Sequence, residues 1–168
     1  MSTLPIVTIH DNNPILRQRA REVEEFNNPA LQKLIDDMIP TMYLKDGIGL
    51  AAPQVNQGIR LIVTTPDPNN FEHFREKLDE AIILLNPTIV HHSFFKEYGD
   101  EGCLSVPNLF GSVKRWKSVT VAYQDRNGVM KKIHTTGLQA RVFQHEIDHI
   151  DGILFIDKAE KVCKVPQL

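Results

Sequence analysis

The feature that most constrains this chain is the run His145-Glu146-Ile147-Asp148-His149 near its C-terminal end. Apolar positions recur at helical spacing from residue 137 to 150, so a helix is predicted there. Histidines at positions i and i+4 of a helix lie one turn apart on one face, and both imidazoles can reach one metal ion. Glu146 is offset by about 100° from His145, so its carboxylate lies beside such an ion and can take a proton from bound water. The alternative is a helix with two surface histidines and a solvated glutamate.

Two imidazoles need a third protein ligand, and a catalytic ion keeps its fourth position open. One extended form of the motif places a third histidine at position 155, but Phe155 stands there. A glutamate from a later helix is also a poor fit, because Glu160 is the sole glutamate after His149. The third ligand should therefore come from upstream.

The upstream candidate is Cys103, within the segment Glu101-Gly102-Cys103-Leu104-Ser105. A thiolate with two imidazoles is a sound ligand set for Zn²⁺ or Fe²⁺. Gly102 lets the backbone come close to the ion. The alternative is a buried cysteine that acts as a small hydrophobic residue. Cys163, the other of the two cysteines, is interpreted as an ordinary free thiol.

Strand patterns occupy the middle of the chain and helical patterns its two ends. This order predicts an α+β fold with a mostly antiparallel β-sheet around a central C-terminal helix that carries the His-Glu-x-x-His motif. A short helix is expected after Asn13-Pro14 and a longer one after Asn28-Pro29, which Pro40 should kink or end. Residues 66–80 are predicted to form a surface loop. Strands are predicted at 59–65, 81–85, 88–91, 118–123 and 129–134, with Asn127-Gly128 as a hairpin turn between the last two.

Composition limits the remaining classes of function. The 168 residues fit one domain, 1–168, and 42% of them are apolar, too many for a disordered chain. The net charge of -2 argues against a nucleic-acid partner held by phosphate contacts. No apolar run approaches the ~20 residues of a membrane helix, and the N-terminus lacks a signal-peptide pattern. With so few cysteines, a reducing, cytoplasmic location without a membrane partner is expected.

Three segments in this order resemble the motifs of the peptide deformylases: Gly47-Ile48-Gly49-Leu50-Ala51-Ala52-Pro53-Gln54, then 101–105, then 144–149. The resemblance extends over nearly the whole chain and implies a single catalytic deformylase domain. The implied reaction is metal-dependent hydrolysis that removes the N-formyl group from the formyl-methionine of newly made polypeptides and releases formate. Nascent formyl-methionyl chains are therefore the expected partners.

The resemblance also implies a role for each motif residue. Glu146 is the general base and then the acid toward water in the fourth metal position. Gln54 donates its side-chain amide to the developing oxyanion, and Leu104 donates its backbone N–H. One divalent ion is expected, Fe²⁺ in cells and Zn²⁺ or Ni²⁺ in purified protein. Its three ligands are Cys103, His145 and His149.

Substrate contacts are predicted on both sides of the metal ligands. The glycines leave room for an extended peptide to lie against the backbone, and the apolar side chains are candidates for a methionine pocket. Leu138 and Val142 share the helix face of His145. Core packing without substrate contact is the alternative for each apolar candidate. The predicted contacts are Gly47, Ile48, Gly49, Gly102, Leu138 and Val142.

Some neighbours are predicted to be structural. The resemblance suggests that Arg115 pairs with Glu101 and holds the cysteine loop, the alternative being an exposed charge. Asp148 is expected behind the site and not as a ligand.

The chain also departs from the family pattern. Phe110 stands where some members place a basic residue near the substrate, and Asn56 where many have glycine. Some members dock on the ribosome through a long C-terminal helix. The tail after Asp157 has no room for one, so ribosome docking is not supported.

Two other functions stay open at this point. A general metallopeptidase or amidase would cleave unblocked peptides. A non-catalytic relative would bind peptide or metal without turnover, although all the motif residues are present.

Overall fold

The structure is a computed structural model, and it describes residues 3–164. Within these residues the α-helices are α1 (Pro29–Leu44), α2 (Phe71–Phe74) and α3 (Gly137–Ile150). The strands are β1 (Gly49–Ala51), β2 (Leu61–Thr64), β3 (Ile82–His92), β4 (Lys96–Cys103), β5 (Val106–Trp116), β6 (Ser118–Gln124), β7 (Met130–Thr136) and β8 (Ala159–Lys164).

The strands form two antiparallel sheets, which confirms the α+β class. A five-stranded sheet has the order β1-β2-β3-β6-β7, and a three-stranded sheet has the order β4-β5-β8. The predicted hairpin is the β6–β7 pair. The two strands predicted on either side of Asn86-Pro87 are one strand, β3, because Asn86 has a φ of 51° and the register shifts there without ending the strand.

The three-stranded sheet was not predicted from the sequence. Strand β4 reads Lys-Glu-Tyr-Gly-Asp-Glu-Gly-Cys and has no alternating apolar face. Strand β8 is almost wholly exposed and, within residues 3–164, pairs only with β5. Pairing with β5 stabilises these two strands, because neither has an apolar pattern that would predict a strand by itself.

Residues 165–168 of the predicted short tail, and the first two residues of the chain, lie outside the described residues.

Helix α1 does not end at Pro40, and the alternative expectation, a kink there, stays a prediction. The helix begins at an Asn28 cap, whose side chain accepts a hydrogen bond from the Ala30 amide at 2.9 Å, and it continues through Pro40 to Leu44. Pro40 is itself buried. Burial of the proline ring offsets the missing backbone donor, so tertiary packing overrides the local preference.

The other N-terminal elements are short. The helix expected after Asn13-Pro14 is one 3-10 turn, Pro14–Arg17. The predicted loop at 66–80 contains α2 between two 3-10 turns, Pro68–Asn70 and Leu78–Glu80.

Helix α3 has the predicted bounds and contacts strands of both sheets, among them β1, β2 and β5. Phe143, Ile147 and Ile150 pack in a core cluster with residues of β6. Just after the helix, Gly152 has a φ of 77°, which favours glycine and stops the helix. The helix therefore brings its polar residues to the junction of the two sheets. No helix among residues 3–164 is long and apolar enough to cross a membrane.

Candidate metal centre

The structure brings together the three predicted ligands from two different elements. Cys103 is the last residue of β4, while His145 and His149 lie on α3. Their donor atoms all lie within 4.8 Å of one another, and Cys103 Sγ is 3.1 Å from His149 Nε2. One sulfur and two imidazole nitrogens form a set that fits Zn²⁺ or Fe²⁺.

Glu101 fixes the orientation of His145. Nδ1 of His145 lies 2.9 Å from Oε2 of Glu101, an arrangement that leaves Nε2 as the ligating atom. Arg115 donates two bonds of 2.9 Å to the same carboxylate, which confirms the predicted pair. Both partners are 4% exposed, so the alternative of an exposed charge is wrong. Burial alone would raise the pKa of Glu101, but hydrogen bonds from Arg115 and His145 hold it well below its usual range.

Asp148 lies behind this carboxylate and not among the donors. Its Oδ2 accepts a bond of 2.5 Å from Arg115, and its Oδ1 accepts one of 2.6 Å from Lys158. The predicted position behind the site is confirmed.

Glu146 is the buried carboxyl group without a full set of partners. Within residues 3–164, its Oε2 has no hydrogen-bond partner. The backbone of Gly49 packs against it so closely that a Cβ at position 49 would lie 2.6 Å from Glu146 Oε1. Burial raises the pKa of Glu146 to about 7, although the nearby His145 acts in the opposite direction. A carboxyl group in this range can both accept and return a proton near neutral pH.

The two histidines differ in their proton affinity. Burial lowers the pKa of His149 well below its usual value, and the charges of His145 and Arg115 act in the same direction. Burial also disfavours the charged form of His145, but hydrogen bonds with Cys103 and Glu101 raise its pKa to about 10. A proton and a metal ion compete for such a nitrogen. Within the described part of the chain, the buried Nδ1 of His149 has no partner.

Gln54 lies in the 3-10 turn Ala52–Val55, beside the cysteine loop. Its Oε1 accepts a bond of 2.8 Å from the Ala51 amide, which turns the amide nitrogen toward the site. That nitrogen is 3.5 Å from Cys103 Sγ and 3.3 Å from Ser105 Oγ. Leu104 follows in the turn between β4 and β5 and lines the cavity beside the candidate metal ligands.

All six predicted substrate contacts line one cavity of about 380 Å³, together with Gln54, Cys103, His145 and Glu146. Val142 is buried, whereas Leu138 is 39% exposed at the rim. Phe110 also lines the cavity, and a Cβ at Gly102 would lie 2.6 Å from its ring. Arg141 is another lining residue, and no role was predicted for it from the sequence. Its position four residues before His145 was the available signal.

These features define a class of protein: an α+β enzyme whose cleft contains a candidate Cys/His/His metal centre. The sequence model of the family described as Polypeptide deformylase matches residues 3–165. "Peptide deformylase 2" of Nostoc sp. is 45% identical over 158 residues, which cover 94% of this chain and 86% of that one. The peptide deformylase of Thermodesulfovibrio yellowstonii is 49% identical over 144 residues, which cover 86% of this chain and 82% of that one.

Solved structures agree with this similarity. A peptide deformylase structure from Acinetobacter baumannii superimposes with a TM-score of 0.84 at 36% identity, over 94% of this chain and 99% of that chain. The enzyme from Thermotoga maritima gives a TM-score of 0.83 at 38% identity, over 96% of this chain and 100% of that chain. The chain belongs to the peptide deformylase family. It is accordingly an enzyme of the metal-dependent family that removes the N-formyl group from nascent polypeptides.

Proposed function

We propose that residues 1–168 form a single catalytic domain in which Cys103, His145 and His149 hold one divalent ion. Glu146, on the helix that carries both histidines, is the general base and acid. The observation that carries this proposal is the convergence of three donor atoms within 4.8 Å. The buried Glu146 carboxyl beside them has one oxygen without a partner within residues 3–164.

The ion, when bound, supplies Lewis acidity that lowers the pKa of water to ~7 and polarises a carbonyl group. Glu146 takes a proton from the water that attacks the formyl carbon. It then returns this proton to the nitrogen of methionine as the C–N bond breaks and formate leaves. Burial keeps this carboxyl away from bulk solvent, so the proton stays within the site.

Gln54 and Leu104 stabilise the charge that develops on the formyl oxygen. The Gln54 amide is held by the Ala51 backbone and buried beside the cysteine loop, so it needs no reorganisation during the reaction. Leu104 contributes its backbone N–H. A donor of this kind is worth about 2.7–4 kcal/mol in the transition state.

The cavity accommodates the formyl-methionyl end of the polypeptide. The peptide backbone lies along Gly47, Gly49 and Gly102, where the absence of side chains permits close approach. Ile48, Leu138 and Val142 form the pocket for the methionine side chain.

The choice of ion is what the resemblance to the deformylases implies. A thiolate and two imidazoles suit Fe²⁺, which we propose as the ion in cells, while Zn²⁺ or Ni²⁺ occupies purified protein. A ferrous thiolate site is sensitive to oxidation. The reducing cytoplasm is therefore the proposed location.

The test is formate release from a formyl-methionyl tripeptide by nickel-loaded protein. Release should require the metal and stop when a chelator removes it, and the acetyl-methionyl analogue should be a much poorer substrate. Glu146→Ala should abolish turnover and keep the metal. Absence of metal-dependent formate release would refute the proposal. Cleavage of unblocked peptides would instead indicate a general metallopeptidase.

A further inference from the structure

Arg141 is a buried arginine for which the proposed reaction has no role. It lies on α3 one turn before His145, lines the cavity and is 9% exposed. Its guanidinium donates to acceptors that all lie on β4 and β5. The acceptors are the carbonyl oxygens of Glu97 (3.1 Å), Gly99 (3.2 Å) and Val113 (2.9 Å) and Oε1 of Glu101 (2.9 Å).

The candidate metal ligands lie on two elements that Arg141 also connects, strand β4 and helix α3. Cys103 belongs to β4, and both histidines belong to α3, so the three donors meet only when strand and helix keep a fixed separation. Arg141 connects the helix to the backbone of β4 at Glu97 and Gly99. These bonds lie on the strand that ends at Cys103.

Arg115 also connects the two elements, but in a different way. Its bonds end on the side-chain carboxylates of Glu101 and Asp148 and not on the strand backbone. Three of the four acceptors of Arg141 are backbone carbonyl groups. Of the two arginines, Arg141 is therefore the one whose bonds hold the backbone of β4 and β5 against the helix.

The fit of Arg141 against β4 leaves no spare room. A Cβ at Gly99 would lie 2.7 Å from the Cζ of Arg141. The guanidinium therefore lies directly on the strand backbone, and its hydrogen bonds prevent it from moving aside without loss.

We propose that Arg141 is a positioning residue of the metal centre, which sets the separation between Cys103 on β4 and the two histidines on α3. The proposal rests on the proposed metal ligands. Arg141 supports metal binding through geometry. Its positive charge opposes metal binding, because a cation nearby repels a metal ion. Loss of the charge alone would tighten metal binding, whereas loss of the hydrogen bonds from Arg141 to β4 and β5 weakens it.

The experiment measures Co²⁺ affinity by chelator competition, together with the absorption spectrum of the bound Co²⁺. Arg141→Met keeps an unbranched stem along the cavity wall and removes every donor. We expect about tenfold weaker Co²⁺ binding, the lower end of the range for groups that support metal ligands, and a shifted spectrum. Arg141→Lys keeps the charge without the planar fork and should give an intermediate affinity.

Arg60→Met is the matched control. Arg60 is also buried, at 6% exposure, and bonds to Asp151 and to the carbonyl oxygens of Ile150 and Pro87. It should lower thermal stability while Co²⁺ affinity and spectrum stay as in the unsubstituted protein.

Unchanged or tighter Co²⁺ binding by folded Arg141→Met would overturn the proposal, as would equal weakening by Arg60→Met. If Arg141→Met does not fold, Gly99→Ala decides, because it displaces the guanidinium and keeps its charge; unchanged Co²⁺ affinity there would overturn the proposal. Absence of Co²⁺ binding in the unsubstituted protein would overturn both proposals. Co²⁺ binding without formate release would contradict the proposed reaction alone.

Discussion

Helices α1 and α3 have similar lengths, 16 and 14 residues, yet they differ in the polarity of the side chains that they bury. Helix α1 buries apolar side chains such as Ile35, Met38 and Met42 in one core cluster. Helix α3 buries five polar or charged side chains as well: Arg141, Gln144, Glu146, Asp148 and His149. Buried charges rarely stabilise a fold better than apolar residues of the same volume. The contrast indicates that α1 serves stability, and that α3 keeps its polar residues for the site.

A second contrast lies within α3. Arg141 and Asp148 have charged partners, and Asp148 is bound from two sides. Glu146 Oε2 has none within residues 3–164. The ion pairs hold Arg141 and Asp148 in place, whereas the unpartnered oxygen of Glu146 suits its proposed role in proton transfer.

The largest effect is expected from Glu146→Gln. Turnover should fall by about 10²–10⁴-fold, because the amide cannot carry the proton. Thermal stability should stay equal or rise, since a buried carboxyl with an unpartnered oxygen is replaced by a neutral group of the same shape. Formate release and calorimetry check the two parts, with metal content as the control. Retained activity would contradict the catalytic role of Glu146. Marked destabilisation would mean that Glu146 supports the fold as its paired neighbours Arg141 and Asp148 do.

On α1 the opposite result is expected for Met38→Ala. The side chain is fully buried, and its loss should cost about 2–5 kcal/mol of unfolding free energy. Turnover per folded molecule should stay unchanged. Denaturant unfolding measures the loss, and Lys33→Ala on the same helix, where the side chain is 71% exposed, should cost far less. A fall in turnover at Met38→Ala would show that α1 also supports the site.

Gly49→Ala should affect the catalytic carboxyl without removing it. The added Cβ would lie 2.6 Å from Glu146 Oε1, so the carboxyl must shift, and a displacement of about 1 Å can cost roughly 10²-fold in rate. Steady-state kinetics measure this loss. Gly58→Ala is the control, because a Cβ there meets no atom within 4 Å. Equal kinetics for the two variants would contradict the assigned position of Glu146.

The smallest effect is expected from Lys158→Ala. Its side chain is 41% exposed, and Arg115 still holds Asp148 after the substitution. Unfolding free energy should change by about 1 kcal/mol or less, with turnover retained. A large loss in either quantity would mean that the ion-pair network acts as one unit out to the surface.

The parts of the fold that carry a local signal could be predicted from the sequence. Helix α3 has the predicted bounds because its apolar period is regular, and the β6–β7 hairpin follows from Asn127-Gly128. Strands β4 and β8 could not be predicted, since their stability comes from pairing with β5. Pro40 does not end α1 for the same reason: its tertiary environment outweighs its local preference for ending a helix.

The candidate site divides in the same way. Spacing on one helix was enough to bring His145 and His149 to one face. The resemblance to the deformylases then suggested Gln54 and the Glu101–Arg115 pair. For Arg141 the sequence offered only its position one helical turn before His145, because the carbonyl groups that it bonds lie on strands that the sequence did not reveal.

X-ray absorption at the zinc edge of zinc-loaded protein tests the central claim most directly. One sulfur at about 2.3 Å and two imidazole nitrogens at about 2.0–2.1 Å are expected around the ion. The sulfur should disappear in Cys103→Ser and remain in Cys163→Ser. A coordination shell without sulfur, or a sulfur that is lost with Cys163 instead, would contradict the assignment of Cys103, His145 and His149 as the metal ligands.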